Sequence, residues 1–150
     1  MSPNRRDFLV SIRPIHVEKI VEGLKTVELR RRFSEEVAAG SIILIYSTSP
    51  TRAIVGSASI SGVHRMQLDN LWDQFGRAAC IDREAFDTYF SGLAEGYAIV
   101  LENVRPFERH VAAADLKKQF GFVPPQSFMY LRQEYYPLLS HERVQIQAAN

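Results

Sequence analysis

Lys25, Glu28 and Arg30 stand within one short stretch, Gly23-Leu-Lys-Thr-Val-Glu-Leu-Arg-Arg-Arg. Lys25 falls where a helical pattern gives way to a strand pattern. Glu28 and Arg30 share one face of that strand, because side chains alternate along an extended chain. An ammonium, a carboxylate and a guanidinium held on a rigid strand could bind a phosphate or a base edge with complementary charge. The same residues could equally form a solvated face whose ion pairs contribute about 0–1 kcal/mol each. Arg31, on the Val27/Leu29 side, reads as structural.

Two further groups could carry chemistry. Tyr46-Ser-Thr-Ser-Pro-Thr-Arg52 follows an apolar run, and loops at strand ends are where a scaffold presents function. Tyr46 could stack on a base, Arg52 could meet a phosphate, and the hydroxyls could bond to either. The alternative is a turn chosen for its Ser/Thr/Pro chemistry, with Tyr46 in the core. Ser127, after Pro124-Pro125-Gln126, reads as a helix cap, and a helix start is also an anion site. The aromatic string Phe128, Tyr130, Tyr135 and Tyr136 reads as core. Asp82, Glu84 and Asp87 have the spacing of a capped, solvated helix face. Cys80 reads as a small buried hydrophobe. The histidines, at 16, 64, 110 and 141, have no metal-ligand spacing, and none has the sequence context of a general base. Neither GxGxxG nor a phosphate-loop motif is present, so no metal and no cofactor is expected.

The elements that must position these residues follow from periodicity. Residues 8–13 read as a strand, and Pro14 opens a helix whose Val17, Ile20, Val21 and Leu24 face the core until Gly23 ends it. Residues 25–32 alternate as a strand, and Ser34-Glu35-Glu36 resembles the capped start of a short helical segment closed by Gly40. Residues 41–47 form a continuous apolar run suited to a strand buried on both sides. Residues 53–63 make a strand with bends at Gly56 and Gly62. Helices are expected over 68–75 and 82–90, the second capped by Asp82 with Phe86, Tyr89, Phe90 and Leu93 as its apolar stripe. Strands over 97–101 and 107–111, a helix over 115–120 and a helical 126–131 complete the pattern, and residues from 145 onward have no core pattern. Without regular βαβ alternation, this is an α+β chain: a curved, largely antiparallel sheet or small barrel with peripheral helices.

With 150 residues and 46% hydrophobic content, the chain is expected to be one domain over 1–150. The net charge of +1 divides unevenly: residues 1–32 carry +4, residues 33–102 carry −5, and residues 103–150 carry +2. A basic groove and an acidic flank are therefore expected on different surfaces. A single cysteine excludes an intrachain disulfide. No leader pattern and no stretch of about 18 apolar residues occurs, so the expectation is a cytoplasmic protein with no membrane association.

Read in order, Ser11-Ile-Arg-Pro14, the Glu22-to-Arg30 stretch, Gly40 before Ile43-Leu-Ile-Tyr46, Ser49-Pro50, Gly56, Gly96-Tyr-Ala98 and Pro124-Pro-Gln-Ser127 resemble an ASCH domain, a branch of the PUA-like superfamily. The resemblance spans about residues 8–132. It implies a small, bent, mostly antiparallel β-barrel with peripheral helices and a basic cleft for RNA, single-stranded by preference, or a nucleotide-like ligand, acting in RNA metabolism or translation-linked regulation. Relatives of this kind include metal-independent ribonucleases and acetylcytidine amidohydrolases. The amidohydrolases resemble this chain at Lys25 but place a threonine nucleophile where Glu28 stands, which disfavours that reaction here. The ribonuclease-like members have a tyrosine, a basic residue and a serine matching Tyr46, Arg52 and Ser127. The leading expectation is RNA or nucleotide binding, with Lys25, Arg30 and Arg52 on phosphate, Tyr46 on a base, and Glu28 and Ser127 bonding to a base edge or ribose. The alternative is a metal-independent ribonuclease acting on single-stranded RNA, with Lys25, Glu28 and Tyr46 as candidate catalytic residues. A third reading is a regulatory module for a small ligand or protein. No oligomeric state is implied.

Overall fold

The apolar run at 42–47 is buried on both sides, and the other elements are arranged about it. The computed structural model describes residues 6–140. Its strands are β1 (Phe8–Ile12), β2 (Val27–Arg30), β3 (Ile42–Ser47), β4 (Ala53–Gln67), β5 (Glu95–Ala112) and β6 (Phe128–Tyr130). Its helices are α1 (Pro14–Val21), α2 (Leu68–Phe75), α3 (Arg83–Tyr89) and α4 (Ala113–Phe120), followed by a 3-10 segment over Gln133–Ser140. The strands form one sheet in the order β2-β5-β4-β3-β1-β6. Only β1 and β3 pair in parallel; the other neighbours are antiparallel. The α+β expectation holds, and the sheet is a curled half-barrel with β2 and β6 at its edges.

The curl comes from β4 and β5, which are far longer than their neighbours and slip register three times, between Ile54/Gly56, Ser57/Ser59 and Ile60/Gly62. Each slip bends the pair and increases its twist. Gly56 sits at a close approach of the two strands: a Cβ there would lie 2.7 Å from the Arg105 carbonyl oxygen and 3.1 Å from the Pro106 Cα. Both obstacles are backbone and cannot swing aside. Gly56→Ala is therefore expected to cost about 1–3 kcal/mol, read as a lower thermal midpoint. An unchanged midpoint would mean that the pair can bend without this contact.

Burial follows strand alternation. Ile43 and Ile45 face one core cluster with Phe8, Val10, Val17 and Ile20, whereas Leu44 and Tyr46 face a second with Leu9, Phe107, Leu116 and Tyr135. A third cluster joins Val27 and Leu29 of β2 to Leu71, Phe75, Phe86 and Phe90 of the helices. Asp82 caps α3 as expected, its Oδ1 accepting the Ala85 N–H at 2.8 Å.

Several expectations are corrected. Residues 34–40 form no helix: buried Phe33 is clamped between Phe8 and Phe128, and the chain loops from that anchor to β3. The two strands expected over 97–101 and 107–111 are one, because β5 absorbs its irregularity at Asn103, which takes φ +51°. Residues 128–130 pair with β1 as a strand instead of continuing a helix from Ser127. The two prolines before them favour extended backbone, and the β1 edge supplies the partner. Val21 and Leu24 are 42% and 63% exposed, since α1 stops at Val21 and Leu24 leaves its stripe. Cys80 is half-exposed, with its Sγ donating to the Leu24 carbonyl at 3.0 Å. The segment from 145 onward lies outside the described residues. Among the described residues, no helix is long and apolar enough to cross a membrane, and no His/Cys/Asp/Glu group could hold a metal ion.

Candidate functional site

Arg30 spans the gap between the two ends of the sheet. It projects from edge strand β2, and its Nη1 donates to the Ser11 carbonyl on β1 and to Glu28 Oε2, both at 3.1 Å. Its Nη2 donates to Ser127 Oγ, just before β6, at 2.6 Å. Ser127 is itself fixed, its carbonyl accepting the Ser11 N–H at 2.9 Å, and Ser11 Oγ donates to the Pro125 carbonyl at 2.7 Å. A planar guanidinium fork thus joins two edges that no backbone ladder connects. Ser127→Ala removes an acceptor from a charged donor and is expected to lower stability by about 1.5–3 kcal/mol. Chemical denaturation measures this, and an unchanged unfolding midpoint would show the bond to be dispensable.

Lys25 completes the network. Its Nζ donates to the Ala79 carbonyl at 2.8 Å and pairs with Glu28 Oε1 at 3.4 Å. Glu28 therefore holds a cation on each oxygen. Lys25, Glu28 and Arg30 are only 4%, 6% and 8% exposed, so this is a buried ionic chain and not a solvated strand face. Burial lowers the Lys25 pKa, with Glu28 opposing the shift. The carboxylate offsets part of the lysine's desolvation.

This chain forms the floor of a groove of about 710 Å³. Arg13, Arg31 and Arg32 are exposed at its rim. The lining holds five Lys or Arg residues and one acidic residue, Glu28. The acidic middle of the sequence contributes Ala79, Ile81, Tyr89 and Leu93 to the wall but none of its carboxylates. Asp69 and Asp87 are instead occupied at the surface by Arg83, each at 3.0 Å. The basic groove and acidic flank anticipated from the charge distribution are thus separate. Arg31 is structural as expected: its Nη1 donates to the Tyr89 and Ser91 carbonyls at 2.7 and 3.1 Å, tying β2 to the end of α3. The Tyr89 hydroxyl donates to the Leu29 carbonyl at 3.2 Å, and burial raises its pKa.

Of the six residues expected to bind ligand, Lys25, Glu28, Arg30 and Ser127 come together in this groove. Tyr46 does not. It is 3% exposed and packs on Phe122 in the second core cluster, with ring centroids 5.7 Å apart, so it offers no free face to a base. Burial also raises its pKa, with Arg52 opposing, which holds the phenol in its protonated form. Arg52 is exposed beside Tyr46 in a left-handed conformation, φ +50°, and does not line the groove. Alternation along a doubly buried strand accounts for this: Tyr46 shares the face of Leu44.

Three groove residues escape a sequence reading. Arg13 and Arg32 flank elements whose relative placement depends on the sheet's curl. His16 lies in the first turn of α1 and lines the groove, and its Nδ1 is buried without a hydrogen-bond partner. Burial, then Lys25, lowers its pKa, with Glu28 opposing. Its only signal in the sequence is Pro14, which fixes where the helix begins.

Residues 12–120 match the sequence profile of a family described as a domain of unknown function (DUF365). A curated relative from Zymomonas mobilis, named an ASCH domain-containing ribonuclease, is 33% identical over 133 residues, covering 88% of each chain. The crystal structure of ASCH from Zymomonas mobilis superposes with a TM-score of 0.80 at 30% identity, over 93% of this chain and 94% of that one. Structures of a serine-to-alanine and a tyrosine-to-phenylalanine mutant of the Zymomonas mobilis protein also give TM-scores of 0.80. Human THYN1, solved in complex with 5-methylcytosine-containing DNA, shares the fold with a TM-score of 0.56 at 13% identity, over 91% of this chain and 97% of that one.

Proposed function

The chain belongs to the ASCH family of the PUA-like superfamily, and from that premise we propose that its groove binds single-stranded RNA. The observation that carries this reading is the lining: five cationic side chains against one carboxylate, facing a wall of Ile81, Leu93 and Tyr89. The exposed guanidinium groups of Arg13 and Arg32 would meet phosphates. The buried Lys25–Glu28–Arg30 chain, with Ser127 and Gln126, would offer fixed donors and acceptors to a base edge or a ribose. A volume of about 710 Å³ is that of a small-ligand site, which suits one or two splayed nucleotides and not a duplex. This assignment gives the phosphate role to rim arginines in place of Arg52 and leaves Tyr46 in the core.

Fluorescence anisotropy with a labelled single-stranded RNA tests the reading. The single strand is expected to bind at least about tenfold more tightly than a duplex of the same sequence, a difference of about 1.4 kcal/mol. Equal affinity would replace the groove with a general basic surface.

A second reading, RNA cleavage, is favoured by the relative named a ribonuclease. Transesterification at an RNA phosphodiester needs cations near the developing negative charge and a group to take a proton. Lys25, Arg30 and the rim arginines supply the cations. Amide hydrolysis of an acetylated base is not supported, because Glu28 is engaged by Lys25 and Arg30 and no hydroxyl nucleophile stands in its place. Cleavage of single-stranded RNA in EDTA that is lost in Lys25→Ala would support the ribonuclease reading; activity unchanged in that variant would point to a contaminant.

A further inference from the structure

We propose that helix α4 carries a second RNA contact, in which Lys117 and Lys118 hold phosphates of the single strand where it leaves the groove. This rests on the reading of the groove as an RNA site and extends the bound segment beyond it. A groove of about 710 Å³ takes one or two nucleotides, so a longer strand must cross its rim.

The backbone ties α4 to that rim at both ends. Thr48 lines the groove just after β3. Its carbonyl accepts the N–H groups of Thr51 and Arg52, at 3.0 and 3.3 Å. The Arg52 carbonyl in turn accepts the N–H of Ala113, the first residue of α4, at 2.9 Å. At its other end α4 stops at Phe120, and a short segment leads back to Gln126 and Ser127 in the groove lining. Leu116 is buried in the second core cluster and fixes which side of the helix faces inward. Lys117 stands one turn beyond Ala113 on the same side of the helix. It is therefore one turn from the Arg52 carbonyl, and both Lys117 and Lys118 are exposed.

The charges along this path are not neutralised by the protein. Among the described residues, no carboxylate pairs with Arg52, Lys117 or Lys118, although Asp115 stands three positions before Lys118. On the acidic flank, by contrast, Arg65 and Arg83 each engage two carboxylates. Exposed cations without acidic partners are open to phosphates, which then displace only counterions. Lysines in a last turn also suit the negative end of a helix, but that role predicts no dependence on the length of a bound RNA.

Fluorescence anisotropy on the full chain tests the contact. It compares labelled single strands of about three and about twelve nucleotides, with wild type, Lys117→Ala/Lys118→Ala and Lys117→Arg/Lys118→Arg. The alanine pair is expected to bind the longer strand at least about fivefold more weakly at low salt, with a log–log salt slope shallower by about 1–1.5. Its affinity for the short strand should stay within about twofold, which separates loss of this contact from loss of folding. The arginine pair keeps the charge and should bind both strands as wild type does. An alanine pair that keeps wild-type affinity and slope on the longer strand would overturn the α4 contact and leave the groove reading standing. So would equal losses on both strands, or an arginine pair as weak as the alanine pair. Wild type that binds neither strand would overturn the groove reading, and this contact with it.

Discussion

Glu28→Ala is expected to lower stability by about 3–5 kcal/mol, because it leaves two buried cations without their counterion. Lys25 and Arg30 are 4% and 8% exposed, and each pairs with a different oxygen of this carboxylate. Removing it leaves Lys25 with the Ala79 carbonyl and Arg30 with the Ser11 carbonyl and Ser127. Those neutral dipoles satisfy donors but do not cancel charge. Lys25 can escape by releasing its proton, as its burial already lowers its pKa; Arg30 cannot. In a chain of this size the loss should appear as a fall in thermal midpoint of roughly 6–20 °C. Glu28→Gln, which keeps shape and one acceptor, should fall between the two. A Glu28→Ala protein that melts with wild type would show that the cations find water, and that the ionic chain is not a buried unit.

Arg30→Lys keeps the charge and is nevertheless expected to be damaging. The guanidinium reaches Ser11, Glu28 and Ser127 at once because its donors are fixed in a plane. An ammonium is a compact point charge with no such fork, and cannot hold a β2 partner, a β1 carbonyl and the residue before β6 together. Each lost bond to the charged group contributes about 1.5–3 kcal/mol, so a stability loss of about 1.5–6 kcal/mol is expected for the one or two bonds that go. Because those bonds hold the groove's two walls in register, RNA affinity should also fall about tenfold or more, against about 1.4 kcal/mol for a factor of ten. Denaturation and anisotropy on the same preparation check both arms. Unchanged RNA affinity in a destabilised Arg30→Lys protein would mean that Arg30 closes the sheet but does not shape the binding surface.

Much of the site was legible because it is local. Lys25, Glu28 and Arg30 lie on one short stretch, and strand alternation separates Glu28 and Arg30 from Val27 and Leu29, with Lys25 just before the strand. The Asp82 cap and the bends at Gly56 and Gly62 were likewise readable from neighbouring residues. What escaped the sequence depends on the curl of the sheet. Arg30 and Ser127 are 97 positions apart and meet only because β4 and β5 bend. The same curl brings His16, Arg13 and Arg32 to one opening. Phe128, Met129 and Tyr130 carry large apolar side chains that suit either a helix or a strand, and the free edge of β1 decides the matter. Tyr46 was readable in part: a strand buried on both faces leaves its tyrosine nowhere but a core.

RNA held by charge concentrated in this groove must release counterions on binding, and the salt dependence of affinity tests that most directly. Anisotropy titrations of a single-stranded RNA at several salt concentrations, with wild type and an Arg13→Ala/Arg32→Ala double variant, measure how many phosphates the groove engages. These two side chains are exposed, so their removal should leave the fold intact. Wild-type affinity should fall steeply with salt, by about 0.7 in log–log slope per phosphate engaged. The double variant should bind more weakly at low salt, with a slope shallower by about 1–1.5. A flat wild-type dependence, or a double variant that keeps both affinity and slope, would contradict the account.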